Sequence, residues 1–104
     1  MADQKIINKL KKFKKELEEE MPNSRMILFG SRAWGKPHRD SDIDLIIINP
    51  KFKKERGIKR GMNLYKLWSL DYPVDFLCYT PEEFKRLSKS TTLMREAAEK
   101  GIEI

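Results

Sequence analysis

Apolar residues recur along this chain with two different periods. Near the start, Ile6, Leu10, Phe13 and Leu17 have the spacing of one helical face, and lysines and glutamates lie between them. Further along, the run IDLIIIN is nearly continuous in large aliphatic residues, which indicates a strand covered on both of its faces. Segments of both kinds alternate through the chain, and this alternation predicts an α/β fold.

The other segments continue the alternation. The predicted elements are a strand in RMILFG, a short helix in SRAWGK, a loop in PKFKKERG, a helix from about residue 58 to 70, a strand in VDFLCY, helices after Thr80 and from about residue 91 to 100, and a short strand in IEI. Thr80, Pro81 and Glu83 have the order of a capping box. Gly101 is expected to end the last helix in a left-handed conformation. We expect one domain over residues 1–104.

Length and composition limit the class of protein. A chain of 104 residues is long enough for one compact domain with one modest core. Cys78 is its only cysteine, so no internal disulfide can form, and a reduced, cytoplasmic setting is expected. The longest apolar run, Leu45–Ile48, is too short to span a bilayer, and the charged start does not resemble a signal peptide. No association with membranes is expected.

The charge balance adds a hypothesis about partners. The formal net charge is +6, which favours nucleic acid, nucleotide phosphates or an acidic protein as partner, although it is also ordinary for a small soluble domain. The basic stretch Lys51–Arg60 is the best candidate for contacting an acidic protein or RNA. A solvated loop is the alternative for this stretch.

Two aspartates stand at the start of the second predicted strand, in SDIDLIII. Aspartate is a poor strand former, and a charge beside a buried strand is costly to desolvate. Asp42 and Asp44 are expected to point to the same face, with Cα atoms about 7 Å apart. Carboxylates at that spacing can converge on one divalent ion, and oxygen ligands favour Mg²⁺ or Mn²⁺. Turn and cap chemistry is the alternative reading of this pair.

Asp75 repeats this pattern on another predicted strand, in VDFLCY. If the two strands are neighbours, Asp75 joins Asp42 and Asp44. Three carboxylates from adjacent strands form a natural cradle for two metal ions in phosphoryl-type transfer.

Gly30 and Ser31 mark the junction of the first strand and the short helix. Glycine lets the backbone approach a ligand closely, and a helix N-terminus offers N–H groups to a phosphate, to which Ser31 adds a hydroxyl. Arg32 in the first helical turn is a candidate phosphate ligand, and a surface ion pair is the alternative. His38 lies in a predicted loop without partners for a catalytic triad, so we assign it no role.

The spacing of these residues resembles a known family. GSRAWGKPHRDSDIDL has the Gly-Ser pair, the ten-residue gap and the Asp-x-Asp of the DNA polymerase β-like nucleotidyltransferase superfamily. In length and layout the chain is most similar to the minimal nucleotidyltransferases, which are the antitoxins of two-component modules with HEPN toxins. The segments PVDFLCYTPEEFKRL and MREAAEKGIEI also resemble that family.

The resemblance implies a fold, a reaction and a partner. The fold would be the small polymerase β palm-like domain, a mixed β-sheet with helices packed on it. Gly30 and Ser31 would hold the triphosphate of ATP, while Asp42 and Asp44 would ligate the metals and Asp75 would complete one metal site and help activate the attacking hydroxyl. The reaction would transfer AMP to a hydroxyl acceptor, which in the HEPN-paired members is a tyrosine of the toxin.

One departure from the family pattern concerns the phosphate site. Many members have an arginine directly after the alanine of GSRA, in the pattern GSRARG, where this chain has Trp34. Arg32, Lys36 or Arg39 would then have to supply the positive charge. Trp34 either stacks on a nucleobase or packs in the core.

Two rival functions stay open at this stage. One is nucleotidyl transfer to RNA or to a small molecule such as an aminoglycoside, which the basic stretch favours in the case of RNA. The other is an antitoxin that neutralises its partner by binding alone, which the departure at Trp34 favours.

Overall fold

The structure is a computed structural model that describes residues 3–34 and 42–104. Strands β1 (Arg25–Phe29), β2 (Ile43–Ile48), β3 (Val74–Tyr79) and β4 (Ile102–Glu103) form one sheet in the order β3-β2-β1-β4. Strand β1 is antiparallel to β2 and to β4, whereas β2 and β3 are parallel. This mixed sheet with helices packed on it confirms the predicted fold class.

The helices cover both faces of the sheet. They are α1 (Gln4–Glu20), α2 (Ser31–Trp34), a 3₁₀ helix (Pro50–Lys54), α3 (Lys59–Leu67), α4 (Pro81–Ser90) and α5 (Thr92–Lys100). Helices α1 and α3 and the 3₁₀ helix pack on one face, and α4 and α5 pack on the other. None of the helices within the described ranges is long and apolar enough to cross a membrane.

The two faces of the sheet have separate cores. Met26 and Leu28 of β1 pack with α1, while Ile27 and Phe29, which alternate with them along the strand, pack against α4 and α5. This division follows from the strand geometry, because successive side chains point to opposite faces. The nearly continuous apolar run of β2 has the same cause, as both of its faces are covered.

The predicted loop in PKFKKERG contains the 3₁₀ helix. Asn49 caps it by accepting a hydrogen bond from the Lys51 N–H at 2.8 Å, and Pro50 follows at the first helical position. The Asn49 side chain also donates to Ser24 Oγ at 2.9 Å, and Phe52 is buried. A single turn with one apolar anchor has too few positions to show a period, which is why the pattern predicted a loop.

The prediction for Gly101 is wrong in its mechanism. Helix α5 does end there, but Gly101 has φ −64° and ψ 159°, an extended conformation that any residue can adopt. Glycine is required instead because a Cβ at this position would collide with the carbonyl oxygen of Ala97 and the side chain of Ile27. The close approach lets the chain pass directly into β4, where Ile102 pairs with Leu28.

The start of α4 confirms the predicted capping box. Thr80 Oγ1 accepts from the Glu83 N–H at 3.2 Å, and Glu83 Oε1 accepts from the Thr80 N–H at 2.8 Å. Helix α3, in contrast, is shorter than predicted, because the chain turns to an extended conformation at Trp68. The Trp68 indole N–H donates to the Tyr72 carbonyl at 2.9 Å, which fixes the turn leading into β3.

Candidate active site

Three strands bring the predicted site residues to one end of the sheet. In the β1–β2 register Phe29 pairs with Asp44, and in the β2–β3 register Asp44 pairs with Asp75. Gly30 follows Phe29 directly. The condition stated for Asp75, that its strand should neighbour the second, is therefore met, and Gly30, Asp44 and Asp75 lie side by side across three strands.

Gly30 has the conformation and the space that only glycine allows. Its φ is +79°, in the left-handed region that disfavours residues with a Cβ. A Cβ on Gly30 would lie 2.7 Å from Asp44 Oδ2, so the backbone of the β1–α2 turn passes directly over this carboxylate. The Gly30 carbonyl accepts hydrogen bonds from the Ala33 and Trp34 N–H groups at 3.0 and 3.2 Å, which start helix α2.

The Asp44 carboxylate is in an unfavourable place for a negative charge. Partial burial raises its pKa above the ordinary value of 3.8, and the charges of Asp75 and Asp42 raise it further. Asp42 and Asp75 are both exposed, so the carboxylates extend from a half-buried position on β2 outward to solvent. This clustered negative charge attracts a cation, because a bound cation would remove the repulsion.

The candidate phosphate ligands next to Gly30 are placed differently from each other. Ser31 is exposed at the first position of α2, beside Gly30. Arg32 is buried, and its guanidinium carbon lies 5.2 Å from the centre of the Tyr72 ring, a cation–π contact. Ser31 is therefore open to a ligand, whereas Arg32 is held against the turn that leads into β3.

The match to known proteins agrees with this geometry. The family profile described as "Nucleotidyltransferase domain" matches residues 10–101. The chain belongs to the nucleotidyltransferase domain family. The matched range contains β1, β2, β3 and every predicted site residue, and it ends just before β4.

Two individual proteins are similar to this nucleotidyltransferase domain. A proposed protein adenylyltransferase from Methanocaldococcus jannaschii is 28% identical over 101 residues, which cover 95% of this chain and 98% of the relative. The crystal structure of a proposed nucleotidyltransferase from Sulfolobus solfataricus superposes with a TM-score of 0.61 at 26% identity. That match covers 74% of this chain and 68% of the other.

The donor set fits a hard divalent cation in the chemical type of its ligands. Asp44 and Asp75 are register partners that supply carboxylate oxygens, the ligands that Mg²⁺ and Mn²⁺ prefer. Among residues 3–34 and 42–104, however, no three acidic, histidine or cysteine side chains are gathered closely enough to enclose a metal ion. The metal roles of Asp42, Asp44 and Asp75 and the nucleotide roles of Gly30, Ser31 and Arg32 stay predictions.

Trp34, where many relatives of the resembled family have arginine, packs in the core. Its half-buried side chain contacts the apolar clusters on both faces of the sheet. It therefore closes the end of the core beneath the β1–α2 turn, as one of the two sequence interpretations proposed. Lys36, His38 and Arg39, two of which were candidates for replacing the arginine charge, lie outside the described residues.

Tyr72 is the site residue that the sequence analysis missed. Its ring is within 5.2 Å of the Arg32 guanidinium and 5.3 Å of Lys9 Nζ, and both distances run to the ring centre. Tyr72 lies in a turn without periodic pattern, and Lys9 is one lysine among many on α1. The one signal in the sequence that could have indicated Tyr72 was its position three residues before Asp75, next to Pro73.

Proposed function

We propose that this nucleotidyltransferase transfers AMP from ATP to a hydroxyl group of a protein, with divalent metal ions as cofactors. One observation carries the proposal: Asp44 and Asp75 are register partners on parallel strands, directly beneath the left-handed turn at Gly30. An acid pair beside a backbone turn brings carboxylate oxygens and backbone N–H groups together, which is the combination that a phosphate group and its counterion need. The family match and the name of the Methanocaldococcus relative give further support.

In the proposed step, the acceptor hydroxyl oxygen attacks the α-phosphorus of ATP. A new oxygen–phosphorus bond forms, the bond from the α-phosphorus to the bridging oxygen of the β-phosphate breaks, and pyrophosphate leaves. The hydroxyl proton passes to the exposed carboxylate of Asp75, which acts as the base. The N–H groups that follow Gly30 and the Ser31 hydroxyl orient the triphosphate.

Asp42, Asp44 and Asp75 would hold Mg²⁺, or Mn²⁺ in its place. Bound there, the metal would neutralise the charge of the triphosphate and orient the leaving group. The chain itself contributes the rigid placement of the carboxylates, because Leu45 and Ile46 anchor β2 in the two cores directly behind Asp44.

For the acceptor, we propose a tyrosine of a HEPN-type toxin, so that the protein would act as an antitoxin by AMP transfer. This assignment rests on the resemblance to minimal nucleotidyltransferases. The Methanocaldococcus relative, named as a proposed protein adenylyltransferase, is matched over 98% of its own length, which supports a protein acceptor.

The test is label transfer from α-labelled ATP with Mg²⁺ in an extract of the native host. Wild-type protein should label one protein band, and the Asp42→Asn/Asp44→Asn variant should not. Mass spectrometry of the band then identifies the acceptor and the modified residue. Asp71, which is exposed and lies four residues before Asp75 in the sequence, gives a matched control, and Asp71→Asn should label the band as wild type does.

Other outcomes would overturn the proposal in defined ways. Label in RNA would make RNA the acceptor. If none of the four nucleotides transfers label and a partner protein still co-purifies, the aspartates are remnants of an active site. The chain would then act by binding alone.

A further inference from the structure

We infer that the exposed side of α3 docks an acidic protein, and that this protein is the AMP acceptor. The surface, called here the α3 surface, consists of the apolar side chains Ile58, Met62 and Tyr65 and a basic rim of exposed residues. The rim comprises Lys53, Lys54, Arg56, Lys59 and Lys66. The identity of the docked protein as acceptor rests on the proposed function, whereas the docking itself does not.

The apolar part of the α3 surface is exposed to an unusual degree. Ile58 is 88% exposed, Met62 51% and Tyr65 49%. These residues follow the i, i+4 and i+3 spacing that places side chains on one side of a helix. An aliphatic side chain in solvent contributes nothing to folding, but it contributes to binding when a partner covers it.

The charge of the protein is concentrated around these apolar residues. Residues 50–66 contain seven basic residues and one acidic residue, an excess of six that equals the formal net charge of the whole chain. Outside this segment the charges balance. Within the part of the chain that the structure describes, Arg60 is the one basic residue of the segment that pairs closely with an acid, since its Nη1 lies 2.6 Å from Glu83 Oε1. The complementary partner surface is therefore acidic.

The combination of charge and apolar surface favours a protein over RNA. RNA also binds to basic surfaces, but its phosphates offer nothing to an exposed isoleucine and methionine at the centre of the patch. A protein surface can present apolar side chains to the centre and carboxylates to the rim, which is the usual anatomy of a protein interface.

A groove beside the α3 surface leads toward the candidate active site. It has a volume of about 290 Å³ and runs along β3, which is an edge strand within the described part of the sheet; Ile58, Tyr65, Phe76, Leu77 and Tyr79 are among its lining residues. The Phe76 N–H donates to the Tyr65 hydroxyl at 3.3 Å. Phe76 follows Asp75 directly, so the groove begins at the residue next to the proposed catalytic base, whose side chain points to the opposite face of β3. An acceptor seated on the α3 surface therefore reaches Asp75 around this edge of the sheet.

The partner does not add a strand to this edge. Two outward-facing backbone groups of β3 are already satisfied by α3, because the Phe76 N–H donates to Tyr65 and the Cys78 carbonyl accepts from Arg60 at 3.1 Å. Docking therefore depends on side chains, and substitutions of those side chains will test it.

The experiment measures label transfer from α-labelled ATP to the protein band that the wild type labels. Ile58→Ser/Met62→Ser should lower labelling of that band about tenfold or more, through a higher KM for the acceptor. Leu93→Ser is the matched control, since Leu93 is 53% exposed on α5 at the opposite face of the sheet, and it should label normally.

A second pair of variants tests the rim. Lys54→Glu/Arg56→Glu should weaken labelling to a similar extent and reduce its dependence on salt. Lys85→Glu/Lys89→Glu makes the same change of charge on exposed positions of α4 and should have little effect. Binding of a non-hydrolysable ATP analogue, measured by titration calorimetry, should be unchanged in all these variants. Normal labelling by both α3-surface variants, or transfer of label to RNA, would overturn the inference.

Docking can also be tested if the wild type labels no macromolecule, which would mean that the proposed function has failed. A photo-crosslinking amino acid at position 58 should then join the full chain to an acidic protein in host cells. The adduct should disappear when Lys54→Glu/Arg56→Glu is added, and the same amino acid at position 93 should not form it. Absence of an adduct at position 58, or an adduct that tolerates the charge reversal, would overturn the inference.

Discussion

At Asp44 one negative charge opposes folding and serves the proposed reaction. Partial burial, Asp75 and Asp42 raise the pKa of its carboxyl, so the ionised form destabilises the fold. This cost is absent below the ordinary value of 3.8 and develops as the pH rises through the raised pKa. Asp44 thus destabilises the fold, yet the register of three strands holds it in place. This combination is typical of a functional site.

The first prediction follows from this conflict. Asp44→Asn should lower AMP transfer by about 100-fold or more, because a proposed metal ligand is lost. At neutral pH and without metal, the same change should raise Tm, because the repulsion disappears. Thermal unfolding followed by circular dichroism checks the second effect, with Asp71→Asn as the exposed control. A Tm below that of the wild type would show that Asp44 is a structural residue.

A second prediction at the residue scale concerns Tyr72. If its ring holds Arg32 in position for the triphosphate, Tyr72→Leu should weaken binding of an ATP analogue by roughly 2- to 30-fold, the range of a cation–π contact. Tyr72→Phe keeps the aromatic face and should bind as wild type does. Titration calorimetry measures both variants. Equal affinity of Tyr72→Leu and wild type would remove Arg32 from the phosphate site.

At the scale of elements, one ion pair joins three parts of the fold. Arg60 in α3 contacts both carboxylate oxygens of Glu83 at 2.6 and 3.2 Å, and it also donates to the carbonyls of Glu55 and Cys78. The hydrogen bond from Arg60, followed by that from the Thr80 N–H, lowers the pKa of Glu83 to about 2. Glu83 thus caps α4 and fixes the start of α3 at the same time.

The third prediction uses this depressed pKa. Glu83→Ala should lower the free energy of unfolding by about 1–3 kcal/mol at neutral pH, through loss of the cap and the pair. The contribution of Glu83 is complete above the ordinary value of 4.5 and is lost as the pH falls toward about 2. The Tm difference between variant and wild type should therefore narrow in acid. Glu82→Ala, at an exposed position, should show no such narrowing.

The elements differ in how far the sequence could predict them. VDFLCY coincides with β3, and the capping box at Thr80 was correct, because both depend on local side chains. The single 3₁₀ turn around Phe52 and the crowding at Gly101 were missed. Phe52 is buried by residues far away in the chain, and Gly101 is constrained by Ile27, so neither signal is local.

The candidate site shows the same division. Gly30, Asp44 and Asp75 were selected as candidates by residue type and spacing, and the adjacency of the aspartates was predicted on the condition that their two strands pair. The contact of Tyr72 with Arg32 depends on where a turn passes after folding, which no spacing records. Local chemistry could therefore be predicted, whereas contacts between distant segments required the structure.

On the scale of the whole molecule, charge and core are arranged around one sheet. The two apolar clusters hold the strands from both faces, and the carboxylates meet at one end where three strands terminate or begin. The excess positive charge lies in residues 50–66, along the edge at β3. The acidic site proposed for metal and nucleotide is thus separate in sequence from the basic surface proposed for the protein partner.

The last prediction follows because a ligand that bridges β2 and β3 binds only the folded state. Mg²⁺ with a non-hydrolysable ATP analogue, at about 100 times its Kd, should raise the free energy of unfolding by about 2.7 kcal/mol and Tm by roughly 10–20 °C. Asp44→Asn should lose most of this shift although its Tm without ligand is higher. Glu83→Ala, although less stable, should keep the full ligand-induced rise in Tm, because Glu83 lies outside the site. If Asp44→Asn kept the shift instead, the nucleotide would bind elsewhere, and the carboxylates on β2 and β3 would have no part in holding it.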